Sequence, residues 1–149
     1  MSGTPINYLK KHLIGVFYLV MNVFKKLKAV RGAVRCKNSR ESIETEVRFL
    51  FSELLKMNRL FEKDIVSIQF TVTEDLTELN PASALRKNGF AQNIPLFCAA
   101  EPNVKGALPA TVRILIHYYS RHMPVPVYVH GAEVLRPELY CPIILQKDG

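Results

Sequence analysis

The segment "NSRESIETEVRFLFSELLKMNRLFEKDIVSIQFTVT", residues 38–73, decides the fold because its apolar period changes part-way along. Asn38 and Glu41 have the spacing of a capping box at its start. Apolar residues then recur at helical intervals and predict one amphipathic helix ending near Asn58. These residues are Ile43, Val47, Leu50, Phe51, Leu54 and Leu55. "DIVSIQFTVT", residues 64–73, is almost continuously apolar and predicts a strand covered on both faces.

Three shorter segments extend this pattern in both directions. "KAVRGAVRC", residues 28–36, predicts a first strand with a close backbone approach at Gly32. "NPASALRKNG", residues 80–89, predicts a short helix with Pro81 at its first position and Gly89 past its end. "NIPLFCAAE", residues 93–101, predicts a third strand that Pro95 places at an edge or at its entry.

The region from Gly106 to His122 predicts a second long helix. Pro109 is tolerated in a first turn, and five apolar residues form one stripe, namely Leu108, Val112, Leu115, Ile116 and Tyr119. A strand containing Tyr128 follows. The element order predicts an α/β (α+β) domain over residues 29–139, with one sheet covered by two long helices, and a flexible tail over residues 140–149.

The net charge of +7 is not spread evenly along the 149 residues. Residues 1–28 hold five lysines and no acidic residue, so the remaining 121 residues carry only +2. A nucleic-acid-binding face is therefore not indicated.

Three cysteines without a C-x-x-C pair, and four histidines without an i, i+4 pair, favour neither a disulfide framework nor a metal site. A reducing compartment, and hence a cytoplasmic location, fits this composition.

Residues 1–28 form a separate basic and apolar extension. The run "HLIGVFYLVMNVF", residues 12–24, is too short for a comfortable membrane span, and no A-x-A-like cleavage site follows it. A loose amphipathic helix, or a true start at Met21, is preferred over export. Membrane contact through this extension stays an alternative.

The segment "VYVHGAEVLRPEL", residues 127–139, raises the question of an arginine at a strand end. Arg136 precedes Pro137, which cannot donate to a sheet ladder, so we expect Arg136 where a strand leaves its sheet. Five arginines occupy such element ends or flanks: Arg31, Arg35, Arg86, Arg113 and Arg136. Any one of them alone is best explained as a solvated surface side chain. Cys98, Glu101 and Tyr128, taken singly, likewise suit a small buried residue, a turn acid and a rim aromatic.

Taken together, these residues resemble the AroH-type chorismate mutases. The resemblance rests on "RGA" (31–33), "TVTEDL" (71–76), "PASALR" (81–86), "CAAE" (98–101), Arg113 and the 127–139 segment, and it extends from about Ala29 to Leu139. It implies a homotrimeric pseudo-α/β-barrel with active sites between subunits. The implied reaction is the rearrangement of chorismate to prephenate for aromatic amino acid synthesis in the shikimate pathway, without cofactor or metal.

The resemblance also implies a role for each site residue. Arg113 would face the ether oxygen that becomes negative, Arg31 and Tyr128 the enolpyruvyl carboxylate, and Glu101 the ring hydroxyl. Cys98 would assist Glu101 from across the interface. The mouth and walls would be formed by Arg86, Arg136, Leu135, Ala82 and Ser83. Arg136, at a flexible strand end, would act as part of a lid.

Some positions depart from the family pattern. Asn80 stands where a large apolar residue is usual, Ser83 where a lysine is common, and Val34 where a threonine is usual. The connection between Arg113 and Tyr128 is also short. The two entrance substitutions predict weaker substrate binding with the rearrangement itself intact.

Two other functions are compatible with the sequence. One is a chorismate-binding or regulatory relative without useful turnover, which Asn80 and Ser83 would explain. The other is a trimeric imine deaminase of the RidA type, which also uses an arginine for a substrate carboxylate. The C-x-x-E to Arg113 spacing and the Tyr128-to-Leu139 ending favour the mutase over the deaminase.

Overall fold

The structure, a computed structural model, describes residues 9–17 and 24–139. Residues 9–17 are helical (α1). The strands are β1 (Lys26–Arg35), β2 (Ile65–Val72), β3 (Leu96–Ala100), β4 (Thr111–Ser120) and β5 (Val127–Val129). The other α-helices are α2 (Arg40–Asn58) and α3 (Pro81–Lys87), and short 3-10 turns span Glu62–Asp64, Glu133–Leu135 and Pro137–Leu139. The predicted α+β class is confirmed, while the flexible tail predicted for 140–149 lies outside the described residues.

The five strands form one mixed sheet in the order β3-β2-β4-β1-β5. β4 lies at its centre and runs antiparallel to both β1 and β2. The two outer pairs, β1 with β5 and β2 with β3, are parallel. Pro95 lies next to β3, which is an edge strand as expected.

The helices α2 and α3 cover one face of this sheet, which we call the inner face. Apolar residues of α2 are fully buried there, including Val47, Phe51 and Leu54. They pack in one core with Phe70 of β2 and Ile116 of β4. The opposite, outer face carries the alternate residues of each strand. Gln69 of β2 is exposed on this face, and Ser67 and Thr71 are only half-buried, so a single chain covers β2 on one face and not on both as expected.

The predicted second long helix over residues 106–122 is wrong, because this region forms the central strand β4. Val112, Ile114, Ile116 and Tyr118 are buried at alternate positions, which is a strand period. Two of these residues, Val112 and Ile116, also belong to the predicted helical stripe, whose members Leu115 and Tyr119 lie on the outer face, since β4 is partly apolar on both faces. Its β-branched and aromatic content is typical of a strand. Pro109 lies in the preceding turn and not in a helix.

Two smaller expectations also change. The N-cap of α2 is Ser39, whose hydroxyl accepts from the amide of Ser42, and not Asn38. Asn38 instead accepts from the amides of Thr77 and Glu78 and so ties α2 to the loop before α3. β5 ends at Val129, so Arg136 lies between two 3-10 turns and not at the end of a strand.

Gly32 has the close backbone approach that the sequence predicts. A Cβ atom built on Gly32 would lie 2.6 Å from the carbonyl oxygen of Val127 and 3.0 Å from Leu50. Because glycine has no side chain, α2 can lie directly over β1 while β5 pairs beside it. Gly32 therefore fixes the distance between the strand that carries Arg31 and the strand that carries Tyr128.

Candidate active site

An open cleft of about 460 Å³ lies on the outer face of the sheet. Arg31 of β1 and Arg113 of β4 line it. Tyr128 of β5, with Leu135 and Arg136 of the following turns, completes the wall. The strand register explains this grouping, since Arg113 is opposite Ala33, which in turn is opposite Tyr128. The sheet thus brings three cationic side chains and a phenol to one concave surface.

The carboxylate of Glu101 connects two of the strands beneath this cleft. Its Oε2 accepts a hydrogen bond from Nη1 of Arg113, and its Oε1 accepts one from the hydroxyl of Thr71 at 2.6 Å. The amide of Glu101 also donates to the carbonyl of Val72 at 2.8 Å, which anchors the residue at the end of β3. The Glu101 side chain is 13 % exposed and that of Arg113 is 32 % exposed. A largely buried acid therefore holds the guanidinium of Arg113 in a fixed orientation.

Arg136 lies at the exposed rim of the cleft. Its Nε donates to a carboxylate oxygen of Glu138. This hydrogen bond is the main cause that raises the pKa of Arg136, and an additional contribution comes from Tyr128. The same bond lowers the pKa of Glu138, to which the charge of Arg31 also contributes. The rim is thus a charged cluster in which Arg136 already donates a hydrogen bond to the carboxylate of Glu138 in the same chain.

The remaining predicted site residues lie elsewhere, on α3 and β3. Ser83 and Arg86 are exposed on α3, while Ala82 is partly buried against the inner core. Nη2 of Arg86 donates to the carbonyl of Ile94 at 3.3 Å. Cys98 is opposite Phe70 in the register and packs against the inner core, away from the face that carries Arg113. A single chain therefore separates the ten predicted site residues into two groups.

Cys98 and Asn80 are neighbours in this second group. Burial raises the pKa of the Cys98 thiol, and a hydrogen bond with Asn80 acts in the opposite direction. Asn80 is also the N-cap of α3, where its Oδ1 accepts from the amide of Ala82 at 2.8 Å. The polar side chain at position 80 thus has a local structural role at the start of α3.

The chemistry of the cleft is that of an anion-binding site. Within residues 9–17 and 24–139, no three His, Cys, Asp or Glu side chains are grouped as metal ligands. Arginine presents a rigid fork of donors that suits carboxylates and oxyanions. Two such forks from the adjacent strands β4 and β1, with a phenol on β5 beside them, can hold a small molecule that carries separated carboxylates.

Comparison with known proteins agrees with this chemistry. The sequence profile of the family described as "Chorismate mutase type I" matches residues 27–139. The chain belongs to this family. It is 34 % identical over 122 residues to the chorismate mutase AroH of Thermus thermophilus. This match covers 76 % of this chain and 96 % of that protein. It is 27 % identical over 121 residues to the AroH of Bacillus subtilis, covering 76 % and 92 % of the two chains.

A solved structure supports the same assignment. A chorismate mutase from Clostridium thermocellum superposes with a TM-score of 0.68 at 36 % sequence identity. The match covers 72 % of this chain and 98 % of that one. The predicted family, AroH-type chorismate mutase, and the predicted enzyme class, an isomerase, are therefore confirmed. The roles of individual residues stay predictions and are taken up below.

Sequence reasoning missed several residues in the mutase cleft. Gln69 and Leu115 line it, and Thr71 holds Glu101. A signal for two of them exists in the sequence. Ser67, Gln69 and Thr71 alternate with apolar residues in β2, and this period places all three on the outer face. The interpretation of this segment as almost continuously apolar overlooks its polar side.

Proposed function

We propose that this chain converts chorismate to prephenate in the outer-face cleft, in the cytoplasm, and that it does so by electrostatic stabilisation. Membership of the type I chorismate mutase family supports the reaction. The observation that carries the mechanism is the guanidinium of Arg113, held by Glu101 on the cleft that Arg31 also lines. The rearrangement is unimolecular, so the protein needs no nucleophile and no proton transfer. It needs a compact substrate conformer and positive charge near the breaking bond.

Arg113 is assigned to the ether oxygen of chorismate. This oxygen becomes negative as its bond to the ring breaks, and a fixed cation in a partly enclosed cleft stabilises that charge without reorganising. Glu101 prevents the guanidinium from turning to solvent, because one carboxylate oxygen already accepts from it. The remaining lone pairs of Glu101 are available to accept from the ring hydroxyl.

Arg31 and Tyr128 are assigned to the enolpyruvyl carboxylate, and Arg136 to the ring carboxylate. Arg31 and Tyr128 lie on β1 and β5, and Arg113 lies on β4, so the substrate would span the sheet from β1 and β5 toward β4. Leu135 supplies apolar cover at the rim. Binding both carboxylates at separate sites favours the folded conformer in which the reacting carbons meet.

The separated second group supports a homotrimer with sites at subunit interfaces. Arg86, Cys98, Ala82 and Ser83 lie on α3 and β3, beyond reach of the outer-face cleft of the same chain. A neighbouring subunit would bring them to it. Cys98 would then assist Glu101, and Arg86 would stand at the mouth beside Arg136. Asn80 and Ser83, both at this entrance, are expected to weaken binding of chorismate and to leave the rearrangement intact.

A mixing experiment tests this assembly. Arg113→Ala and Arg86→Ala chains, denatured together and refolded, are expected to regain activity that neither variant has alone at low chorismate. Mixed oligomers contain sites that take Arg113 from one chain and Arg86 from another, with both residues intact. Refolding each variant alone is the control. If the refolded mixture were no more active than the separate variants, and each variant were folded, both arginines would belong to the site of one subunit. That result would contradict the proposed interface.

The activity itself is tested by the loss of chorismate absorbance, with prephenate identified as the product. Conversion by the purified chain is expected. A folded oligomer without conversion, but with measurable chorismate binding, would instead favour a regulatory relative. Turnover of an imine substrate would favour the RidA-type deaminase.

Thr71→Val is expected to lower kcat by about tenfold, because a hydrogen bond to a charged group contributes about 1.5–3 kcal/mol. Valine keeps the shape of threonine but leaves Oε1 of Glu101 without the 2.6 Å donor. Thr71→Ser retains the hydroxyl and should restore most of kcat. Ser67→Ala is a matched control on the same face, since its hydroxyl contacts His117 and not Glu101. Equal losses in Thr71→Val and Thr71→Ser would show that packing, and not the hydroxyl, matters.

Arg136→Ala is expected to raise KM by roughly tenfold with a smaller change in kcat, since this rim residue serves binding more than the transition state. Steady-state kinetics over a range of chorismate concentrations give the two parameters separately. Arg40→Ala, at the exposed start of α2, removes the same charge away from the cleft and should leave both parameters unchanged. A fall in kcat with KM unchanged would assign Arg136 to the reacting centre instead.

A further inference from the structure

The helix α1, residues 9–17, has an apolar stripe that the proposed catalysis does not use. Leu9, Leu13, Val16 and Phe17 follow the i, i+4, i+7, i+8 spacing of one helix face. Their exposed fractions are 57 % to 68 %. Ile14, beside this stripe, is 59 % exposed. A contiguous exposed apolar stripe of this kind marks an interaction surface.

The charge of the same region is uniformly positive. Lys10 and Lys11 lie within α1, and Lys25, Lys26 and Lys28 follow at the entry to β1. No aspartate or glutamate occurs anywhere in residues 1–28. An apolar helix face flanked by lysines has the composition of helices that lie in the interface of a bilayer. It does not suit association with a second copy of itself, since the two copies would bring like charges together.

Exposed apolar residues and basic side chains also occur together on the folded body, near the start of β1. Phe24 is 62 % exposed and Phe61 is 66 % exposed. Arg121 lies over the ring of Phe24 at 5.6 Å, and Lys63 lies over the ring of Phe61 at 5.7 Å. A cleft of about 360 Å³ is lined by Phe61 together with Lys25, Arg59, Lys63, Arg121 and His122. The single acid of its lining, Asp64, pairs with Lys25 at 2.6 Å, so Arg59, Lys63 and Arg121 give the cleft its positive charge. Exposed aromatic rings among cations are a second, separate sign of a surface for anionic lipid.

We propose that α1 binds the surface of bilayers that contain anionic lipids. The stripe of Leu9, Leu13, Val16 and Phe17 enters the boundary between headgroups and acyl chains, and the lysines contact the headgroups. A helix of nine residues is about 14 Å long and lies in the plane of the surface. No helix of the described residues is long and apolar enough to cross a membrane. A contact through one face of a helix in this plane is peripheral and reversible, and it does not depend on the proposed catalysis.

Vesicle co-sedimentation of the full chain tests this proposal. We expect binding to vesicles of phosphatidylcholine mixed with phosphatidylglycerol, and little binding to phosphatidylcholine alone, in about 0.1 M salt. Leu13→Ser/Phe17→Ser should reduce binding at least tenfold. Lys10→Gln/Lys11→Gln should do the same, since each lysine near an anionic surface changes the binding constant roughly fivefold. Lys10→Arg/Lys11→Arg is the matched control and should bind like the unchanged chain.

Four outcomes would overturn the proposal. No binding to the anionic vesicles would do so directly. Undiminished binding of Leu13→Ser/Phe17→Ser would assign the contact to the general basic charge of the protein and not to α1. A lower oligomer mass of that variant in light scattering would assign the stripe to contacts between copies. The intact mass of the protein from its native source must also include α1, so a chain beginning at Met21 would exclude the proposal.

Discussion

Arg113→Ala is expected to lower kcat by roughly a hundredfold or more, the scale on which loss of one preorganised donor to a developing anion acts. The guanidinium of Arg113 is the group that the proposed mechanism aims at the ether oxygen. Removing it takes away an interaction that is stronger in the transition state than with bound chorismate, so kcat should fall more than KM rises. Steady-state kinetics with chorismate measure both values.

Loss of Arg113 also leaves Glu101 as a carboxylate that is 13 % exposed and has lost its charged partner. An unpaired buried charge is costly, so Arg113→Ala also lowers the free energy of unfolding. A smaller folded fraction would lower the measured activity without any change at the transition state. Arg113→Ala/Glu101→Gln removes that charge and should regain stability in urea unfolding without regaining kcat. Arg113→Lys keeps the charge but loses the rigid fork, and an intermediate kcat is expected. Near-normal turnover in Arg113→Ala would contradict the electrostatic assignment.

Gly32→Ala is expected to lower the free energy of unfolding by about 1–3 kcal/mol, the usual cost of overpacking a filled site. The new Cβ would lie 2.6 Å from the carbonyl oxygen of Val127, which is backbone and cannot move without shifting β5. Tyr128 is the next residue on that strand. The same substitution should therefore raise KM for chorismate in the chains that remain folded. Urea unfolding and steady-state kinetics measure the two effects.

Gly15→Ala is the matched control for Gly32→Ala. A Cβ at Gly15 would have no neighbour within 4 Å, so the same added methyl group meets no atom of the described chain. We expect unchanged kinetics in this variant and no loss of stability, since alanine favours a helix over glycine by up to about 1 kcal/mol. If Gly32→Ala were as stable as Gly15→Ala, the close approach of β5 to β1 would not restrain the fold.

Elements whose apolar residues follow a single period were predictable from the sequence. α2 shows only the helical spacing, and α3 is bounded by Pro81 and by Gly89, whose φ of 83° is a left-handed conformation that favours glycine. β4 was not predictable in this way. It is central, and its apolar residues on both faces satisfy the helical and the strand spacing together. Only its pairing with β1 and β2, a long-range property, resolves the ambiguity.

The cleft was predictable to a different extent. Arg31, Arg113, Tyr128 and Arg136 were found because they belong to segments that resemble a known family, and the structure places them on one surface. Thr71 contributes through a single hydrogen bond to Glu101 across two strands. No local pattern in one sequence encodes that contact. It depends on the parallel register of β2 and β3, which sequence spacing does not reveal.

The central position of β4 also has a consequence for synthesis on the ribosome. Lys26 at the start of β1 pairs with Ser120 at the end of β4, and β2 pairs with the same strand from its other side. The sheet therefore cannot close until nearly the whole body has emerged from the exit tunnel. Contacts between residues so distant in sequence slow folding. The nascent chain therefore exposes β1 and β2 until β4 has been synthesised. A chaperone that binds extended apolar segments would meet this protein before its cleft exists.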